Sequence, residues 1–494
     1  MYLLGYDIGS SSIKAALVAA DSGDTIKIVQ YPETEMEMIS VQSGWAEQHP
    51  ADWWENVIKA TRKLLEDTGI KSSEIKSIGI AYQMHGLVLI DKDQKVLRPS
   101  IIWCDSRAVD IGHKAFEGIG HGYCLSHLLN SPGNFTASKL KWVKENEPEL
   151  FEKIDKILLP GDYIAMKLTG EAKTTISGLS EGVLWDFKTN APSKTLLDYY
   201  GIREDLLPEI ADTFTVQGKL TEAAGEATGL MPGTPVSYRA GDQPNNALSL
   251  GVFNPNEVAA TGGTSGVVYA VVDQLIYDNQ SRINGFAHVN HSPGNPRLGL
   301  LLCINGAGIQ YAWVKKQMAE AGITYQEMES MAGLVPVGSD GLRIIPFGNG
   351  AERILMNESP GAQINNLQFN RHGRAHFYRA ALEGIAFSFV YGFEVLKALG
   401  LDPEVIKVGN DNLFQSEIFA QTIANLLDCS IEVIQTTGAV GAAKASGFGA
   451  GIYSNLDEAM KTGKVEHRYI PQNNIEAFKT AYQLWSGELD KLMH

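Results

Sequence analysis

The chain is poor in cysteine and short of positive charge, and it has no long apolar run. Only four cysteines occur in 494 residues (Cys104, Cys124, Cys303 and Cys429), with no CxxC pair and no histidine cluster. That excludes a disulfide framework or a structural zinc site as the organising element, and it fits a reducing compartment such as the cytoplasm. Forty-one Lys and Arg face 57 Asp and Glu, a net charge of −16. Such an acidic surface repels nucleic acid and anionic membranes, so neither is expected as a partner. No apolar stretch approaches the 18 residues or so of a membrane span, and Met1–Asp7 lacks the basic start and long apolar run of a signal peptide. What remains is a chain with 44% apolar and 20% charged residues, ordinary for a folded protein and long enough for two to four domains at roughly 100–200 residues each.

Strand and helix patterns alternate from end to end, which predicts α/β layers. Tyr2–Asp7 reads as a buried strand running into the turn Asp7-Ile8-Gly9-Ser10-Ser11-Ser12, and Ile13–Ala20 returns as a second strand. A helix is predicted from Pro50 to about Glu66, with Trp53, Val57, Ile58, Leu64 and Leu65 at helical spacing. Ile75–Ala81 is again a strand. The second half repeats the order: Val258–Ala260, the turn Gly263-Thr264-Ser265-Gly266, the strand Val267–Val272, a helix over about Arg374–Leu399, and the strand Ile406–Gly409. The two glycine–serine turns lie about half the chain apart. This repetition predicts two similar domains that face each other, with the join near residue 250 and packed.

Both turns have the chemistry of a phosphate cradle: successive backbone N–H groups, serine or threonine hydroxyls and, in the first, Lys14. Asp7 at the strand end could hold a water of hydrated Mg²⁺. A capped hairpin is the better explanation of either turn alone; two turns, one per domain, could grip a polyphosphate from both sides. Gly241-Asp242-Gln243-Pro244 places a carboxylate before a predicted helix at Asn245–Leu250, where it reads either as a helix cap or as a general base at a cleft rim. Gln83-Met84-His85-Gly86 lies at the C-terminal tip of a strand, where α/β sheets bind ligands. Trp103-Cys104-Asp105-Ser106-Arg107 either meets a polyol or forms a buried ion pair. Trp45, Trp53 and Trp54 read as packing residues.

Together these segments resemble the FGGY carbohydrate kinases, and within that family the xylulose kinases. The resemblance also covers Trp45–Gln48, Pro132–Leu140, Leu158–Tyr163, Gly350–Arg353, Ala381–Gly384 and Gly438–Ala443, in order from about residue 2 to 450. It implies two ribonuclease-H-like domains of the actin and hexokinase type with the active site between them. The sugar-binding domain would span 1–250 and the nucleotide-binding domain 251–494. It implies ATP- and Mg²⁺-dependent phosphorylation of a sugar hydroxyl in the cytoplasm, with a homodimer as an open question. Carried over by position, Asp242 is the base and Asp7 the metal-side carboxylate. Met84, His85, Asp105 and Gln243 lie on the sugar side. Ser10, Ser11, Ser12, Lys14, Gly263, Thr264, Gly409 and Asn410 lie on the nucleotide side. A kinase for another ketose or polyol, or a non-catalytic sugar or nucleotide sensor, are the alternatives.

The chain departs from the family pattern at three places. Gly409-Asn410-Asp411-Asn412-Leu413-Phe414-Gln415-Ser416 replaces a glycine triplet, which predicts weaker nucleotide binding through added bulk and the Asp411 charge. Ile354-Leu355 follows Glu352-Arg353 where Thr/Ser-Pro is usual, and Gln243 stands where xylulose kinases carry asparagine.

Overall fold

The structure, a computed structural model, describes residues 1–410, 412–461, 465–473 and 475–493. Asp411 lies outside the described residues, and the expectation attached to it with it. Alternation along the first strand decides the architecture of the first half. In β1 (Tyr2–Ile8), Leu4, Tyr6 and Ile8 point to one face, and Leu3, Gly5 and Asp7 to the other. The first set packs against Trp53, Val57 and Leu64 of α1 (Pro50–Thr68). The second set meets a helix from the far end of the chain, described below.

β1 turns back antiparallel into β2 (Ile13–Ala19), which pairs with β3 (Thr25–Tyr31). On its other edge β1 runs parallel to β4 (Ile75–Tyr82), and β4 runs parallel to β6 (Pro235–Gly241), whose outer neighbour is the short antiparallel β5 (Gly218–Lys219). The second sheet repeats this order. β7 (Val258–Gly262) turns back into β8 (Gly266–Val272), which pairs with β10 (Leu298–Ile304). β7 runs parallel to β11 (Val405–Gly409), β11 to β12 (Ser430–Ile434), and β13 (Val465–Tyr469) closes the edge antiparallel. One strand is extra: β9 (Asn284–Ala287), beyond β10.

The halves are joined by crossing helices. α2 (Thr136–Asn146) and α3 (Ile176–Glu181) belong to the first half, and α3 holds the edge strand β9 of the second: Ser180 Oγ accepts the Ala287 N–H at 2.9 Å and Ser177 Oγ donates to the Ala287 carbonyl at 3.1 Å. α4 (Asp242–Ser249) leaves the tip of β6 and packs on α8 (Gly438–Gly449). α8, although late in the chain, lies on the first sheet. Its small residues allow a very close approach, because a Cβ on Gly5 would collide with the Ala439 carbonyl and one on Gly79 with that of Ala442. The remaining helices used below are α5 (Gly308–Met318), α6 (Tyr325–Gly333) and α7 (Arg374–Ala398), all in the second half. No described helix is long and apolar enough to cross a membrane.

Candidate functional site

Asp7 ends β1 on the face that α8 covers, beside Gly438 and Asn246. It stands opposite Lys14 in the hairpin, and burial raises its carboxyl above the usual range while Lys14 draws it back. Asp242 follows the tip of β6. The helix begins at Asp242 itself, two turns' worth of sequence having been expected only from Asn245; Gly241 is the N-cap, so Asp242 is not a cap residue and its side chain is free for other work. Burial, and then the neighbouring Asp7 charge, push the Asp242 carboxyl up to about 7, against hydrogen bonds from the Gln243 backbone and side chain. A carboxylate that changes charge near neutrality is suited to accept and release a proton. Gln243 is thus seen attending Asp242.

His85 and Met84 reach the same place from the tip of β4. His85 takes a positive φ of 61°, and its ring is held edge-on to Phe135 (4.8 Å between centroids) and beside Phe286 of β9 (5.5 Å). Its Nδ1 lies 2.8 Å from the Glu181 carbonyl. A carbonyl only accepts, so Nδ1 carries the proton. Burial, the largest cause, lowers the ring's pKa to about 3, so the imidazole is neutral and Nε2 is left as an acceptor for a hydroxyl. The His85 backbone N–H donates to Glu181 Oε1 at 3.3 Å, and its carbonyl accepts from Lys139 Nζ at 2.9 Å. Lys139, fully buried, also donates to the Ile102 carbonyl at 3.0 Å, and burial pulls its pKa down to about 7.

Neither Glu181 nor Lys139 was singled out from the sequence as a site residue. Glu181 sits in an unremarkable Ser-Gly-Leu-Ser-Glu-Gly stretch, and only the fold buries it against Met84 and Gly241, where a Cβ in place of the glycine hydrogen would strike Glu181 Oε2. Burial drives its carboxyl well above the usual range, with the Asp242 and Asp162 charges adding to the rise. Lys139 lay within a segment already noted, but nothing local marks a lysine for burial.

Asp105 has no exposed surface: Oδ2 accepts from the Ala46 N–H at 2.6 Å and from Arg107 at 2.7 Å, and Oδ1 accepts from the Arg107 backbone and Nε. Both of its oxygens are occupied within the protein, where they tie the Trp103–Arg107 turn to Ala46. Arg107 in turn pairs with Glu47 at 2.6 Å and lies 3.8 Å over the Trp45 ring, so of the two readings of the Trp103–Arg107 segment the ion pair is the one realised.

The first hairpin turn is closed by Gly9 N–H donating to Ser12 O at 3.1 Å. Ser10 is tied down by Gln48, which donates to its carbonyl at 2.7 Å, and by Trp103, whose indole N–H reaches its Oγ at 3.3 Å. Ser11 is exposed, and Ser12 and Lys14 are half-buried. The second turn opens onto a cavity of about 690 Å³ lined by Gly263, Thr264, Tyr311, Tyr325, Glu329 and Leu413, among others. The Gly263 and Thr264 carbonyls accept the first N–H groups of α5, from Gly308 and Ile309, both at 3.0 Å. Tyr311 and Tyr325 stack at 5.5 Å.

Gly409 and Asn410 lie beside this cavity's wall and are not among its lining residues. The wall of this cavity comes from the next few residues, Leu413, Gln415 and Ser416, carried on the short helical turn Asn412–Gln415. Asn410 is exposed and gives its amide to Glu466 of β13.

The chain matches the FGGY family of carbohydrate kinases over both of its domains, the N-terminal domain at residues 2–249 and the C-terminal domain at 258–450. It is 27% identical to the xylulose kinase of Bacillus subtilis (strain 168), over 98% of this chain and 96% of that one. It is 28% identical to the L-xylulose/3-keto-L-gulonate kinase of Escherichia coli (strain K12), over 100% and 96%. The crystal structure of xylulose kinase from Rhodospirillum rubrum superposes with a TM-score of 0.89 at 26% identity, covering 100% of this chain and 99% of that one. With its paired sheets, facing hairpins and full-length match, the chain belongs to the FGGY family of carbohydrate kinases.

Proposed function

We propose that this protein transfers the γ-phosphoryl group of ATP to a ketopentose, with D-xylulose as acceptor and its C5 oxygen as nucleophile. Residues 1–250 supply the sugar side and 251–494 the nucleotide side. One juxtaposition carries the reading: Asp7 and Asp242 stand at the tips of β1 and β6, the two strands that flank β4, with neutral His85 at the tip of β4 between them and the second hairpin's cavity across the join. The names of the relatives favour xylulose among sugars.

Phosphoryl transfer asks mostly for positioning and charge neutralisation. Asp242 takes the proton from the sugar hydroxyl as that oxygen attacks in line. His85 Nε2 accepts a hydrogen bond from a second hydroxyl and so orients the ketose, while Lys139 and Glu181 keep the His85 loop in place. The N–H groups and hydroxyls of Ser10, Ser11, Ser12, Gly263 and Thr264 hold phosphate oxygens, aided by Lys14. Tyr311, Tyr325 and Leu413 offer flat and apolar surface to the nucleoside. Mg²⁺ keeps several waters and takes one or two carboxylates along with substrate phosphates. Asp7 is the residue that would hold it, and when bound it would supply neutralising charge at the phosphates. Closure of the two halves excludes water, the competing acceptor.

The test is ADP release by the purified protein with MgATP and a panel of D-xylulose, L-xylulose, D-ribulose, glycerol and D-gluconate. D-xylulose should give the highest kcat/KM. A faster acceptor replaces D-xylulose in the assignment. Sugar binding by calorimetry with no sugar-dependent ADP release overturns the kinase reading in favour of a sensor.

A further inference from the structure

Arg353 is a cation without a counter-charge at the join between the halves. It opens the short turn Arg353–Leu355, whose Ile354 and Leu355 are buried in the core, so its backbone is pinned. One guanidinium nitrogen donates to Ser281 Oγ at 3.0 Å, while Nε is buried without a partner. No carboxylate among the described residues pairs with it: the nearby Asp278 is already bound by Arg282 through two hydrogen bonds of 2.9 and 2.8 Å. The other buried arginines of the site region are matched, Arg107 with Asp105 and Glu47, and Arg239 with Asp162 at 3.5 Å. Removing a guanidinium from water with no partner is costly, and burial lowers the pKa of Arg353 to about 10. Its charge acts on His85 across the join and on Cys303 of β10. It is absent from the lining of the nucleotide cavity.

The residue before it has the opposite task. Glu352 is fully buried, and its two oxygens accept the Asn305 and Gly306 N–H groups, each at 2.8 Å. Those residues form the turn from β10 into α5, and the first N–H groups of α5 bond the Gly263 and Thr264 carbonyls. The dipeptide therefore spans from the second hairpin to the His85 side.

We infer that Arg353 is an anion-binding residue on the acceptor side of the cleft, receiving an oxyanion carried by the acceptor molecule, and that Glu352 is a positioning residue that sets its place relative to the second hairpin. A guanidinium fork with a free Nε matches two oxygens of a phosphoryl group or a carboxylate. The oxyanion is therefore either the phosphoryl group of the sugar phosphate product or the carboxylate of an acid sugar. This rests on the reading of the His85 side as the acceptor side.

The experiment compares wild type, Arg353→Gln and Arg353→Lys, with D-xylulose 5-phosphate as product inhibitor and D-gluconate against D-glucitol as a charged and uncharged ligand pair. In Arg353→Gln the inhibition constant of D-xylulose 5-phosphate, or the dissociation constant of D-gluconate, should rise about tenfold to a hundredfold, the range of a lost charged hydrogen bond. The KM for neutral D-xylulose should rise by less than about threefold, and Arg353→Lys should recover part of the anion affinity. If the phosphoryl group is the source, the sugar phosphate alone responds. If a carboxylate is, wild type prefers gluconate to glucitol and Arg353→Gln abolishes the preference. Equal losses for the neutral ketose and the anions, or no loss for either anion, overturn the inference. Should wild type turn over no ketose, the acceptor reading fails by itself. Calorimetry of gluconate, glucitol and inorganic phosphate with wild type and Arg353→Lys, which keeps charge and size, still tests Arg353.

Discussion

The two sides of the join solve different problems with the same sheet. In the first half, the proposed sugar side, polar groups are buried and locked: Asp105 by Arg107 and the Ala46 N–H, Arg107 between Trp45 and Trp142, and Lys139 on two carbonyls. In the second half, the proposed nucleotide side, an equivalent hairpin opens onto a cavity of about 690 Å³, walled by backbone turns and the stacked Tyr311 and Tyr325. A site that selects among small polyhydroxy molecules gains its discrimination from polar groups held in place and left unpaired by the wrong ligand. A large, partly flat ligand is held by backbone N–H groups and apolar faces that need less support. The same topology thus carries a locked polar cluster in one half and an open cavity in the other.

This contrast breaks first at Asp242. Asp242→Asn keeps the shape but cannot take the proton, so kcat should fall about 10²–10⁴-fold, while the protein still binds sugar and ATP. In wild type the base must be unprotonated, so kcat/KM for the sugar should climb with pH to a plateau, with a midpoint near the Asp242 pKa of about 7. That acid limb should vanish in the variant; its persistence would assign the limb to another group.

Next in size is Asp105→Ala, which takes away the carboxylate that receives the buried Arg107 Nε and Nη2 and leaves Arg107 to Glu47 alone. Loss of one partner in a buried pair costs about 3–5 kcal/mol, to be read by urea unfolding of the two proteins. A change too small to measure would show that the sugar side is not held by its buried charges. His85→Ala should raise the KM for the ketose about tenfold, the worth of a buried hydrogen bond and its packing, and leave the KM for ATP within about twofold. An effect on ATP alone would move His85 to the other side of the join. The smallest change is expected at Thr264→Ala: about a threefold rise in the KM for ATP from one neutral hydrogen bond, with the melting temperature unmoved. A large loss of stability there would make the nucleotide side as rigid as the sugar side and erase the contrast.

The doubled architecture was legible from local signals. Apolar runs with a period of two, broken by Gly-Ser turns, announced β1–β2 and β7–β8 to within a residue or two. Asp7 and Asp242 drew notice because one lies among the last, turn-facing residues of a strand and the other directly after a strand end, although the helix start at Asp242 was placed three residues late. The pairing of Asp105 was not legible, for a physical reason. A carboxylate two residues before an arginine carries no local sign of whether the two will pair with each other or with a ligand; burial against Ala46, 59 residues away, decides it. The surroundings of Asn410 were hidden in the same way, since its side chain bonds Glu466 of an edge strand added later in the chain.

By itself, then, the sequence determined the elements, their repetition and the two turns with phosphate-binding chemistry, because strand period, turn residues and glycine placement act over a few neighbouring residues. Tertiary structure decided the ionisation and the pairing. Asp242 reaches a pKa of about 7 only because folding removes it from water beside Asp7. His85 becomes neutral because folding buries its ring, and the Glu181 carbonyl holds the remaining proton on Nδ1 so that Nε2 is left to accept. Arg353 is left unmatched because Arg282 has taken Asp278. Burial and charge pairing depend on which distant segments share a low-dielectric interior, and that is a property of the packed chain rather than of any stretch of it.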